Sequence, residues 1–85
     1  MNKILIGKIT HFFPKISVAV LEVTEGSVKV GDKISIEKGE KKVEQTVESM
    51  QVEHQNIEEA KAGDKVGLKT VEPVAEGSHV YKLEE

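Results

Sequence analysis

Three histidines, His11, His54 and His79, are the residues in this chain best suited to metal or acid-base chemistry, with serines and glutamates scattered around them. Their spacing contains no His-x-x-x-His pair, and a zinc centre needs four ligands or three plus a water, so no metal site is expected. A serine nucleophile needs an adjacent base held by a third group, and no Gly-x-Ser-x-Gly elbow occurs. The carboxylates of Glu58 and Glu59 are adjacent in sequence, so their side chains diverge instead of flanking a substrate. A Gly-x-x-x-x-Gly-Lys-[Ser/Thr] phosphate loop is absent, as is cysteine, which removes nucleotide hydrolysis and thiol or iron-sulfur chemistry. The chain is therefore expected to be non-catalytic and free of cofactors.

Contact chemistry is better represented. In His11-Phe12-Phe13-Pro14 two aromatic residues are consecutive, and on a strand consecutive side chains point to opposite faces. One ring would then look outward as an anchor for a protein partner, unless both plug the end of the domain beneath Pro14. All twelve basic residues are lysines and the net charge is -3. Without a guanidinium fork, bidentate capture of phosphate or guanine edges is lost, which weighs against autonomous nucleic-acid binding. Lys38, Lys41 and Lys42 could form a local phosphate-binding patch or be the solvated charges of a hairpin tip.

Hydrophobic residues make up 38% and charged residues 32% of the 85 positions, enough for one small core. No run approaches the roughly 20 apolar residues that cross a bilayer, and the apolar stretch after Lys3 breaks at Lys8, too soon for a secretory segment. A cytoplasmic, single-domain protein over residues 1–85 is expected.

Valine and isoleucine outnumber leucine and alanine, which favours strands. Turn signals at Phe13-Pro14-Lys15, Glu25-Gly26-Ser27, Gly31-Asp32, Lys38-Gly39-Glu40, Gly63-Asp64, Glu72-Pro73 and Glu76-Gly77-Ser78 cut the chain into strand-sized pieces. Strands are predicted over 4–13, 16–23, 33–38, 42–54, 65–71 and 79–83. Ile34 and Ile36 share one face while Ser35 and Glu37 share the other; 4–9 and 16–23 are apolar at both parities, so one of their faces could be an interface. In 42–54 the inward parity switches between Val47 and Met50, which a bulge near Glu48-Ser49 would reconcile. One helical turn is predicted at Asn56-Ile57-Glu58-Glu59-Ala60, capped by Asn56. The repeated Gly-Asp-Lys at residues 31–33 and 63–65 need reflect only one mechanical demand, a reversal feeding a strand.

Lys29-Val30-Gly31-Asp32-Lys33-Ile34, Ser49-Met50-Gln51, Glu58-Glu59-Ala60-Lys61-Ala62-Gly63-Asp64-Lys65-Val66-Gly67-Leu68 and Glu76-Gly77-Ser78-His79-Val80, in that order, resemble landmarks of the β-barrel second domain of elongation factor Tu and its archaeal and eukaryotic counterparts. The resemblance spans nearly the whole chain. It implies an all-β fold, a small closed antiparallel barrel of six strands standing alone. In the family this barrel packs against a GTPase domain, touches the small ribosomal subunit and helps hold the aminoacylated end of tRNA. Similar barrels are appended to RNA-modifying enzymes of the collagenase-like peptidase family. At the positions implied to hold tRNA, Gln51 stands for a glutamate, His54 for an arginine and Lys65 for an asparagine; His54 agrees with the archaeal and eukaryotic pattern.

The expected function is thus a non-catalytic binding module, a protein-interaction or accessory module associated with translation. The alternatives are RNA, ribosome or tRNA binding through the surface from Met50 to Lys65, and service as an accessory subunit of an RNA-modifying enzyme. The expected binding residues are Phe12, Phe13, Met50, Gln51, His54 and Lys65, with no nucleotide or membrane partner.

Overall fold

A computed structural model describes residues 2–53 and 55–84, and every regular element among them is a β-strand. They are β1 (Asn2–Phe13), β2 (Val18–Val23), β3 (Ser27–Lys29), β4 (Lys33–Lys38), β5 (Lys41–Thr46), β6 (Met50–Val52), β7 (Gln55–Ile57), β8 (Glu59–Lys61), β9 (Lys65–Lys69) and β10 (His79–Glu84). Eight form one sheet in the order β5-β4-β10-β1-β2-β9-β6-β7, all neighbours antiparallel, and β3 pairs with β8 as a separate ribbon.

The all-β expectation holds, but the closed barrel of six strands does not: the sheet is open, with β5 and β7 at its edges. The expected long strand 42–54 is the reason. Residues 47–49 leave strand geometry altogether instead of bulging, so β5 stays on β4 while β6 joins β9 at the far side of the sheet. Val47 is held at this corner by backbone bonds to Asp32 and from Gly31, which keeps Val43, Val47 and Met50 all buried despite the parity change. Side chains span the seam that backbone pairing leaves unmade. Gln45 donates through Nε2 to the Lys69 carbonyl (2.8 Å) and accepts from the Val71 amide at Oε1 (3.0 Å).

The bulges lie instead in β1, where the register shifts between Leu5 and Gly7 against β10 and between Ile9 and His11 against β2. A bulge bends a strand and increases its twist. This lets one 12-residue strand serve two sectors, pairing β10 with its first half and β2 with its second. The predicted helical turn at residues 56–60 is replaced by β7 and β8, because Asn56 pairs with Gln51 and the buried Ala60 with the buried Val28. The Gly-Asp turns are mechanically alike. Gly31 and Gly63 take φ of 100° and 98°, and the carboxylates of Asp32 and Asp64 each accept the amide three residues back, from Lys29 and Lys61, at 2.9 Å.

Ile6, Leu21, Ile34, Met50, Leu68 and Val80 belong to one buried cluster inside the curved sheet. Each such side chain contributes about 1.5–3 kcal/mol by leaving water.

Candidate functional site

Directly opposed residues of paired strands share a face, so the registers place the outward side chains in rows. On β2, Ala19, Leu21 and Val23 are buried while Val18, Val20 and Glu22 turn away from the core and stay half-buried. On β9, Val66 and Leu68 point inward; Lys65, Gly67 and Lys69 point outward. One outer row therefore runs His11, Val20, Gly67, Gln51, Asn56 across five strands. A second runs Phe13, Val18, Lys69, and a third Lys8, Glu22, Lys65.

This face brings together three of the residues expected to bind. Phe13 is 44% exposed and meets the His11 ring edge-on at 4.5 Å. Gln51 is exposed and donates through Nε2 to Asn56 Oδ1 (3.0 Å). Lys65 is exposed and shares Glu22 with Lys8, at 3.6 and 3.9 Å. Phe12 turns the other way, opposite Ala19, and packs against the core. Met50 is fully buried between Leu68 and Ile57, so its side chain fills the core and meets no partner surface. His54 lies outside the described residues. Just outside β2 and β9, Ile16 (59%) and Val71 (60%) are exposed; their chain neighbours Ser17 and Thr70 are joined by the Thr70 amide donating to the Ser17 carbonyl at 2.8 Å. Sequence reasoning did not single out Val18, Val20, Gly67 or Lys69; the available signal was the double apolar parity of 16–23 and a glycine in mid-strand.

The other half of the sheet is built differently. Its outer rows are Leu5, Tyr81, Ser35, Glu44 and, beside it, His79, Glu37, Lys42. Lys3 Nζ reaches both Glu37 oxygens at 3.1 Å and lies 4.7 Å from the centre of the Tyr81 ring. The buried Ser35 hydroxyl donates to Glu37 Oε2 at 2.7 Å. That bond first, and then the Lys3 ammonium, holds the Glu37 carboxyl below the usual glutamate value. Lys42 bonds Glu44 at 3.0 Å, which raises the lysine above its usual value. Lys38 and Lys41 donate to the carbonyls of Glu76 and Pro73, both at 2.8 Å. Lys38 and Lys41 of the suspected phosphate patch thus tie distant segments together, while Lys42 is paired along its own strand. A shallow cleft of about 230 Å³ lined by Lys33, Glu44, Gln45, Thr46 and Leu83 opens here, below the roughly 300–1,000 Å³ of typical small-molecule sites. His11 bonds Glu76 (2.8 Å) and His79 lies beside Tyr81, so these two rings have different neighbours.

Residues 17–72 match the family described as Elongation factor Tu domain 2. Among curated proteins, an uncharacterized protease of Methanocaldococcus jannaschii is 44% identical over 85 residues, covering 99% of this chain and 21% of the relative. A collagenase of Porphyromonas gingivalis is 30% identical over 84 residues, covering 98% of this chain and 20% of the relative. The chain therefore spans about a fifth of the length of these relatives. Among solved structures, the C-terminal domain of a Geobacillus thermoleovorans protein described as a U32 peptidase superposes with a TM-score of 0.85 at 17% identity, over 94% of this chain and 92% of that one. Its selenomethionine variant gives 0.82 at 16% identity, over 89% and 95%. These two show a shared fold. None of these relatives is described as a translation factor, so they lend no support to the translational role implied by the resemblance.

Proposed function

The chain belongs to the elongation factor Tu domain 2 family, and from that premise we propose that it is a non-catalytic docking module of the kind carried at the C-terminus of U32 peptidase-type proteins. The face formed by β2, β9, β6 and the second half of β1 is its contact surface, and its partner is a protein. The observation that carries this reading is the solvent-facing Phe13 beside the half-buried Val18 and Val20, with Ile16 exposed just before β2 and Val71 just after β9. Aromatic anchors set in apolar surroundings dominate protein-protein binding energy, and surrounding contacts mainly exclude water. Phe13 serves as the anchor, Gln51 and Asn56 as hydrogen-bonding groups, and Lys65 as a rim charge already balanced by Glu22.

A direct test removes the matching segment from the M. jannaschii protease and supplies this chain separately. The reading expects a complex that survives gel filtration, and loss of that complex with Phe13→Ala. Capture that is indifferent to Phe13→Ala would remove this face from consideration. A complex with tRNA or ribosomes that weakens steeply with salt would favour phosphate contacts over a protein partner.

A further inference from the structure

Between β9 and β10 the chain is fastened at both ends by its backbone and tied down in between by side chains. At the near end the Lys69 and Thr70 amides donate to the carbonyls of Ser49 (3.5 Å) and Ser17 (2.8 Å); at the far end Gly77 donates to Ile9 (2.7 Å) and Ile9 to Ser78 (2.8 Å). Among the described residues, the backbone of 71–76 bonds to no strand backbone, only locally, where the Ala75 carbonyl accepts the Ser78 amide at 3.2 Å. Four side chains hold the segment instead. Gln45 accepts the Val71 amide, Lys41 donates to the Pro73 carbonyl, Lys38 donates to the Glu76 carbonyl, and His11 meets the Glu76 carboxylate at 2.8 Å. Every residue of 71–76 is exposed except Val74, a lone apolar plug that is 7% exposed.

What this segment covers is a sheet edge. Gln45 meets residues 69 and 71 while Lys41 meets residue 73, so the segment runs antiparallel to β5, in the place of the neighbour that β5 lacks. Val47 exchanges backbone bonds with Asp32 and Gly31 on the β4 side, and in an antiparallel pair the bonding residues alternate along the strand. The N–H and C=O groups of Val43 and Gln45 therefore serve β4, whereas those of Lys42 and Glu44 face the segment, with no backbone bond to it among the described residues. A bare row of such groups pairs readily with another chain, and a covering loop is one way in which proteins prevent this. We propose that residues 71–76 are a strap, shut in this structure, that opens as one unit while the strands stay folded, so that it alternately covers and bares the β5 edge. Solvent-exposed hydrogen bonds from flexible side chains and one buried valine hold it weakly. The backbone bonds at 69–70 and 77–78 are its hinges and confine the motion to the residues between them. The inference goes beyond the docking reading and does not depend on it.

The chain has no cysteine, so the thiol of a single Val74→Cys substitution reports opening without interference. Its reaction with an aromatic disulfide reagent should run about 100-fold faster than that of Ala60→Cys, a fully buried core position, and should not respond to urea below the unfolding transition, where the Ala60→Cys rate climbs steeply. Amide exchange in the unsubstituted ¹⁵N-labelled chain should show the same contrast between Val71, bonded to Gln45, and the buried Val23, bonded to Asp64. Lys38→Met cuts the tether at Glu76, at the far end of the strap, yet should speed exchange at Val71 about threefold. Equal rates and equal urea slopes at Val74→Cys and Ala60→Cys would mean that the strap parts only when the whole domain unfolds, and would overturn the inference. Unaltered Val71 exchange in Lys38→Met would overturn it as well, because the residues would then fray one by one. If Val74→Cys does not fold, equal urea slopes at the Val71 and Val23 amides decide against the strap.

Discussion

The two halves of the sheet spend their outward side chains in opposite ways. Across β4, β10 and the first half of β1, Lys3, Ser35, Glu37 and Tyr81 are tied to one another, and the Lys42-Glu44 pair lies alongside. Across β2, β9 and the second half of β1, the outward positions hold Phe13, Val18, Val20 and a bare Gly67. Exposed ion pairs contribute little stability individually, about 0–1 kcal/mol, so the network mainly fixes side-chain positions. The lesson is that a small sheet can be finished on one sector and left available on another while sharing a single core and a single long strand.

Several substitutions probe this contrast. The largest effect should come from Gly7→Ala, which drives a methyl into the Glu22 carbonyl where β1 serves both sectors; a loss of about 3 kcal/mol is expected from chemical denaturation. Gly67→Ala, whose methyl would meet the movable Val18 side chain at 3.2 Å and no backbone atom closer than 3.6 Å, should cost about 1 kcal/mol or less in the same experiment, and equal losses at the two glycines would erase the distinction between them. Gln45→Ala removes both hydrogen bonds across the seam and should cost about 1–2 kcal/mol, with faster hydrogen exchange at the Val71 amide. Phe13→Ala should cost less than about 1 kcal/mol because the ring is already partly solvated, yet it should abolish partner capture. The smallest effect belongs to the pinned face. The Glu37 carboxyl is more acidic folded than unfolded, so its stabilisation is present above the usual glutamate value and fades as pH falls through the lower folded value. Ser35→Ala should move the Glu37 titration back up toward the usual glutamate value, as followed by NMR, and should flatten the acid limb of stability.

Strands with alternating or doubly apolar sequence were legible: residues 33–38 match β4 to the residue, and β1, β2, β9 and β10 fall within a few positions of expectation. The three-residue strands β3, β7 and β8 were not, because alternation over three positions carries almost no periodic signal. The parity switch marks the corner at residues 47–49, but sequence does not say whether a strand bends there or changes partner. Phe12 and Phe13 were correctly separable by alternation, but which one faces out depends on the bulge between Ile9 and His11. Met50 carries two conflicting signals, an inward parity that matches its burial and a place in a motif of the family that suggests contact, and the structure sides with the parity. That Phe13, Gln51 and Lys65 share one face is a tertiary fact, set by β9 lying between β2 and β6.

The pairing of Asn2 with Glu84 at the outer end of β1 and β10 has a mechanical consequence. Tension applied through these two points would load the ladder one pair at a time, peeling β10 from β1 as a zipper opens instead of shearing all the bonds together. The β1–β10 ladder would therefore part at low force along that line.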